Sequence, residues 1–367
     1  MLLTMFTDPA YTKNIWMVEP TYFLACPSFL DAGFTDRLRG VPEDKEGIDI
    51  EYLRQHISEA ERNGVSNTSS MVDKRRSKLY RHVIYAVPTF SNPSAKTMSL
   101  RRRKQLIHLA REFDALIITD DVYDFLQWPT DEGALVDIDL PPPEPRLVDL
   151  DREIEGGQPW GNAVSNGSFS KIVAPGVRVG WVEGSSLVAE ALCKVGSVAS
   201  GGSQCHFSSM VINQLIRSGD LEKHIRETLI PTYQKRARVM IKSIKKHICP
   251  LGWTISSSAP ESNSFFHNGD SKDSAVVNGG FFIYLQAPET SPPVDQLARY
   301  ALEEHNLRVA HGRMMTVAGD SECLQRAEKP SGFGQGLRLC WAWHKENEIE
   351  EGILRLASAI KAVTNLP

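Results

Sequence analysis

HVIYAVPTFSNPSAKTMSLRRRKQLIHLAREFDALIITDDVY, residues 82–123, is the stretch from which the fold is read. Its first segment, HVIYAVPTF, is nearly continuous in apolar character, the pattern of a parallel strand covered on both faces. The run ends at Asn92-Pro93, where the proline holds the preceding residue extended. Ser99 then has the side chain to cap a helix through SLRRRKQLIHLAREFD, with Leu106, Leu109 and Phe113 inward and the arginines outward. A second apolar run, ALIIT, follows, so the stretch reads as a β-α-β unit. Asp120, Asp121 and Tyr123 fall at the carboxyl end of that second strand, where open α/β sheets hold their ligands. Strand alternation sends Asp121 to the face opposite Asp120, and Asp121 can also be read as a helix N-cap.

A second informative stretch lies downstream, SNGSFSKIVAPGVRVGW at 165–181. A lysine amine is normally protonated near neutral pH and is then a poor nucleophile. Lys171, held in a pocket beside Arg178 and the hydroxyls of Ser168 and Ser170, can be neutral enough to form a Schiff base with a carbonyl cofactor. The serines and Arg178 would together suit a phosphate. An ordinary surface loop is the alternative for this segment taken alone. Ahead of both stretches, NIWMVEP reads as a strand stopped by Pro20. Tyr22 just beyond it presents either a flat face for an electron-poor ring or a core aromatic. Near the end of the chain, Arg338 sits inside the apolar GLRLCWAW. An unpaired guanidinium would be costly there, so it needs a carboxylate, either a substrate's or that of a structural salt bridge.

Composition narrows the classes. The chain has 367 residues, enough for two domains, with Lys+Arg 41 against Asp+Glu 45 and a formal charge of -4. That balance offers no global basic field for nucleic acid or an anionic membrane, and no apolar run is long enough to span a bilayer. The basic runs in MVDKRRSKLYRH and SLRRRKQL read as solvated faces. Six cysteines lack C-x-x-C or zinc spacing and no histidine cluster suits a metal, so no metal site is expected. With no signal-peptide pattern in MLLTMFTDPAYTK, a cytoplasmic protein with reduced thiols is expected, and the Asn67-Thr68-Ser69 sequon is expected to be silent. GIDIEYLRQHISEAE reads as an amphipathic helix with Ile50, Leu53 and Ile57 on one face. The span 131–159 is proline-rich and reads as an irregular surface excursion. Residues 210–247 read as mostly helical, broken near Gly219 and Pro231, and Asn268–Asn278 as a polar loop tip between two strands. A final helix carries Ile349, Ile353, Leu356, Ile360 and Val363 inward.

Five separated motifs occur in one order: PTY at 20–22, FSNPS at 90–94, DDVY at 120–123, SFSK at 168–171 with Arg178, and GLRLCWAW at 336–343. In that order they resemble the fold-type-I, pyridoxal 5'-phosphate-dependent aminotransferases of class I/II. The resemblance runs from Phe6 to about Ala362 and is nearest the 2-aminoadipate and kynurenine aminotransferase branch. It implies an α/β fold, with a mostly parallel sheet in a large cofactor-binding domain over 1–240 and a smaller α+β domain over 241–367. It also implies Lys171 as the Schiff-base residue and catalytic proton carrier, with Tyr22 stacked on the cofactor ring. Asp120 would sit at the ring nitrogen, Asn92 and Tyr123 at the phenolic oxygen, and Ser168, Ser170 and Arg178 at the phosphate. Asn92 and Arg338 would face the substrate, Arg338 holding its α-carboxylate. The implied partners are an amino acid, a 2-oxo acid and a second copy of the chain in a homodimer, with neither nucleic acid nor membrane.

The family pattern also includes an amino-terminal arm and a Gly/Ser-rich turn that cradles the phosphate at a helix N-terminus. No residues of this sequence match them. The sequence reads as starting inside the helix that follows that turn, so weak cofactor binding is expected of the chain as given. A carbon–sulfur lyase on the same scaffold and a non-catalytic remnant are the alternatives. A regulator fused to a DNA-binding module would need a winged-helix segment, which this sequence lacks.

Overall fold

The computed structural model describes residues 1–63, 78–129, 144–202, 205–256 and 277–364. Its strands are β1 (Asn14–Glu19), β2 (Leu38–Pro42), β3 (His82–Ala86), β4 (Ala115–Asp120), β5 (Gln127–Pro129), β6 (Ala163–Ser168), β7 (Gly180–Glu183), β8 (Thr254–Ile255), β9 (Val277–Gly279), β10 (Phe282–Gln286), β11 (Ala310–His311) and β12 (Gly336–Cys340). The main sheet has the order β2-β1-β3-β4-β6-β7 and is parallel except for β7. A second, antiparallel sheet has the order β11-β12-β10-β8, and β5 pairs with β9.

The apolar run around residue 84 forms β3, buried along its whole length. Alternation sends Val83, Tyr85, Leu116 and Ile118 into one core and Ile84, Ala86, Ala115 and Ile117 into another, so both faces of the sheet are covered. The helix Leu100–Glu112 closes the β-α-β unit, and Ser99 Oγ accepts from Arg102 N–H at its start. Leu106 and Leu109 pack inward on it with Leu53 and Ile57 of the helix Ile50–Asn63. Each such fully buried side chain contributes about 1.5–3 kcal/mol. A third core lies under the second sheet, where Ile244, Leu285, Leu337, Leu356 and Ile360 meet.

Several expectations change. The arginines of SLRRRKQL do not all face outward: Arg101 is exposed, but Arg102 and Arg103 are buried. Arg102 donates to Ile48 O and pairs with the Asp44 carboxylate at 2.7 Å, while Arg103 donates to the buried carbonyls of Met98 and Pro88 and to Thr89 Oγ1. Asp121 caps no helix; its Oδ2 accepts from Thr119 Oγ1 at 2.5 Å and Ser165 Oγ at 2.6 Å, inside the sheet. The span read as irregular contains a helix, Leu147–Glu153, whose Leu147, Val148 and Leu150 are buried and whose Asp149 Oδ2 accepts from Arg146 N–H at 3.2 Å at its start. The prolines before it hid that periodicity. Near Pro231 the regular α-helix is interrupted as expected: a π-helical turn, Ile225–Leu229, precedes the helix Ile230–His247, in whose first turn Pro231 lies. Gly219, at φ +79°, does interrupt the chain. Asn278 belongs to β9 rather than to a loop tip. The basic run at 71–77, the Asn67 sequon, the prolines of 130–143 and the polar insertion up to residue 276 lie outside the described residues. Among the described residues, no helix is long and apolar enough to cross a membrane.

Candidate active site

Four parallel strands end side by side, and the segments leaving them carry the residues singled out in the sequence. Tyr22 follows β1, Asn92 follows β3, Asp120 ends β4 with Tyr123 beyond it, and Ser168 ends β6 with Ser170 and Lys171 beyond it. A parallel sheet aligns all its carboxyl ends on one edge, so residues far apart in sequence converge there.

Asp120 lies opposite Asn166 in the β4–β6 register, and Asn166 Nδ2 donates to Asp120 Oδ1 at 2.6 Å. Tyr85 of β3 donates its hydroxyl to Asp120 Oδ2 at 2.5 Å. Burial raises the Asp120 carboxyl above the usual carboxylate range, and these two hydrogen bonds draw it back. Lys171 Nζ stands 5.4 Å from the Phe281 ring centroid and 5.8 Å from that of Tyr123. Burial pulls its ammonium below the usual lysine range; Arg338 adds to the effect, while Cys340 and Asp120 oppose it. The arginine that acts on Lys171 is thus Arg338 of the second sheet. Arg178, expected in that position, is exposed, with Nη1 3.0 Å from Pro175 O and 3.4 Å from Ser170 Oγ. Ser168 Oγ accepts from Ser170 N–H at 3.1 Å, so the Ser168–Ser170–Arg178 cluster forms beside the lysine.

From the opposite side β12 delivers Arg338. Its Nη1 donates to Asn92 Oδ1 at 2.6 Å, its Cζ lies 4.4 Å from the Phe282 ring centroid, and its buried Nε has no partner. Among the described residues it makes no ion pair, so the structural salt bridge considered for it is not formed. Cys340, two residues on, shares its strand face, while Leu337 and Leu339 turn into the core. A groove of about 1250 Å³ reaches Arg338 and Cys340 and is also lined by Phe23, Met314 and Trp343. Burial raises the Tyr22 hydroxyl, Asp120 adding to that shift and Arg338 opposing it, so Tyr22 senses both groups.

The sequence reading missed Tyr85, Asn166, Phe281 and Cys340. Tyr85 was hidden in an apolar run, and only the β4–β6 register singles out Asn166. Cys340 carried one available signal, its i+2 spacing from Arg338.

A carboxylate held by neutral donors, a lysine of lowered basicity and a hydroxyl–arginine cluster suit a ring nitrogen, a carbonyl and a phosphate in turn. A family model described as aminotransferase class I and II matches residues 2–356. The chain belongs to the class I and II aminotransferases. These enzymes use pyridoxal 5'-phosphate and transfer an amino group from an amino acid to a 2-oxo acid. An uncharacterized protein of Saccharomyces cerevisiae is 33% identical to this aminotransferase over 100% of the chain and 76% of its own length. Aromatic-amino-acid aminotransferase 1 of Thermococcus litoralis is 28% identical over 95% of the chain and 67% of its own. The crystal structure of a kynurenine aminotransferase from Pyrococcus horikoshii, in complex with PMP, superposes with a TM-score of 0.71 at 24% identity. It covers 98% of this chain, which spans 72% of that one, and it establishes the same fold.

Proposed function

We propose that this aminotransferase carries its reaction on Lys171, with amino acids of large side chain as donors. The observation that supports this most is the lysine amine of lowered basicity, set beside the packed rings of Tyr123 and Phe281 and within electrostatic reach of Asp120 and Arg338. Pyridoxal phosphate, when bound, supplies an aldehyde for the amino group and an electron-withdrawing ring. The Asp120 carboxylate would hold the ring nitrogen as a cation, with Tyr85 and Asn166 keeping that carboxylate in place. Tyr22 would cover the ring face, Tyr123 and Asn92 would donate to the phenolic oxygen, and Ser168, Ser170 and Arg178 would bind the phosphate. Arg338 takes the substrate α-carboxylate, and the unpartnered Nε leaves it a donor for that task. Lys171 Nζ would anchor the cofactor and would then take and return the proton of the substrate α-carbon, a role helped by the lowering of its basicity.

The names of the relatives supply the donor class, and the apolar walls of the groove at Phe23, Met314 and Trp343 are compatible with it. A homodimer in the cytoplasm completes the proposal. The helix His206–Arg217 turns Phe207, Met210 and Val211 outward on one stripe, an apolar face that suits a second copy, and all six cysteines are free thiols.

The deciding assay combines phenylalanine, kynurenine or 2-aminoadipate with 2-oxoglutarate and measures glutamate. Borohydride reduction and peptide mapping should then place the pyridoxyl group on Lys171. A label on another lysine would sink the assignment. Release of a 2-oxo acid without any acceptor would point to a lyase instead.

A further inference from the structure

We propose that Arg103 is a positioning residue for the substrate site, clamping from behind the loop that carries Asn92. This rests on the reading of Asn92 and Arg338 as substrate-facing groups. Arg103 is fully buried, yet among the described residues no carboxylate pairs with it. Its donors go to neutral acceptors at both ends of one loop. Nη2 reaches Pro88 O at 3.2 Å and Thr89 Oγ1 at 2.9 Å ahead of Asn92, and Nε reaches Met98 O at 3.0 Å behind it. Nη1 donates to Pro145 O at 3.1 Å. The next residue, Arg146, holds Asp124 beside Tyr123, with Nε 2.7 Å from its Oδ2. One strut thus braces the segments leaving both β3 and β4.

A guanidinium whose hydrogen-bond acceptors among the described residues are all neutral is expensive to bury, and packing alone would be better served by an apolar side chain. What the guanidinium adds is a rigid fork that fixes several acceptors at once. The loop has need of that. Phe90 and Ala95, neither a glycine, sit in the left-handed region at φ +48° and +60°. The neck is closed by Met98 N–H donating to Pro88 O, the same carbonyl that Arg103 holds. On its outer side Ser94 and Lys96 meet Glu43, so Arg103 is the inner anchor. Asp121, next to Asp120, supplies the largest favourable field on the buried cation.

The path to substrate is short. Asn92 Oδ1 accepts from Arg338 Nη1 and is the hydrogen-bond partner of Arg338 among the described residues. If the loop drifts, Arg338 loses the contact that aims it at a carboxylate. The effect should fall on substrate binding, with the proton transfer at Lys171 largely spared.

The test is a double-mutant cycle on the full chain with cofactor, using phenylalanine and 2-oxoglutarate. Arg103→Lys keeps the charge but loses the fork. It should raise the KM for phenylalanine about tenfold while kcat stays within about threefold. In an Asn92→Ala background the same change should raise KM no further, because the clamp would have nothing left to position. Calorimetric binding of 3-phenylpropionate, a carboxylate without an amine, should weaken in parallel in the single variant. Independent, multiplying effects of the two substitutions, or a fall in kcat at unchanged KM, would overturn the proposal. Should Arg103→Lys not fold, Thr89→Val removes one acceptor at nearly constant shape and carries the same comparison with an expected threefold rise. An Asn92→Ala variant with unaltered KM would instead refute the reading of Asn92, and the clamp would fall with it. Loss of turnover in Asn92→Ala at unchanged analogue binding would do the same.

Discussion

At the scale of single residues, the proposed site divides its work between Lys171 and Arg338, and the two can be separated by kinetics. Lys171→Ala removes the amine that moves the proton, a contribution of about 10²–10⁴ in rate, together with the covalent anchor. Its kcat should fall at least about a hundredfold by that reckoning, with an unchanged circular dichroism spectrum. Arg338→Ala should leave cofactor absorbance intact and raise the KM for amino acids. Two charge-assisted hydrogen bonds at roughly 1.5 kcal/mol each correspond to about a hundredfold. Loss of cofactor from the Arg338 variant would move Arg338 out of the substrate role. Both residues were legible from local motifs. Asn166 was not, since its meaning comes from facing Asp120 across two paired strands.

Among the elements, β3 shows how a buried strand manages a titratable end. His82 opens it with no exposed surface, taking a hydrogen bond from Trp16 Nε1 at 3.2 Å and lying 2.9 Å from a Glu61 oxygen. Burial pushes its pKa down to about 4. The native state therefore favours the neutral ring. The associated stability is fully present above the unfolded value of 6.5 and is lost as pH falls towards 4. A shift of that size corresponds to at most about 3 kcal/mol. Urea unfolding at pH 7 and pH 4.5 should show the native protein losing about 2 kcal/mol more than His82→Gln over that interval. Equal losses would show that His82 does not titrate on unfolding. The helix Leu100–Glu112 teaches a different lesson. Its cap and apolar face follow from residue type, but which arginines face inward depends on the loops packed beside it.

For the whole molecule, the joint that matters links residues 307 positions apart. Arg326 Nε donates to Glu19 Oε1 at 2.5 Å and Nη2 to Oε2 at 3.2 Å, while Nη2 and Nη1 also reach Gly40 O and Tyr52 Oη. Glu19 is the last residue of β1, three before Tyr22, so this pair ties the carboxyl-terminal third to the site edge. Thr21 N–H donates to Met315 O in the same joint. Arg326→Leu leaves the Glu19 carboxylate buried without its partner and should destabilise the protein by about 3–5 kcal/mol, measured by denaturant unfolding. A change below about 1 kcal/mol would mean that water reaches Glu19 in the native state. Gly40 has no room for a side chain, since a Cβ there would lie 2.1 Å from Glu19 Oε2.

What the sequence determined by itself was whatever depends on neighbours along the chain. The continuous apolar runs at 82–90 and 115–119 specified buried parallel strands, Ser99 specified a helix start, and five motifs in order specified the family. Their order also pointed to one sheet edge, because parallel strands must present their carboxyl ends together. Tertiary structure decided whatever depends on neighbours across the fold. It placed Arg338 of the second sheet where, beyond burial, its charge lowers the basicity of Lys171, turned Arg103 inward beneath the Asn92 loop, and set Tyr85 and Asn166 on Asp120. The reason is physical: a side chain's pKa, pairing and direction follow from the solvent and partners around it, and contacts between residues tens to hundreds of positions apart create those surroundings.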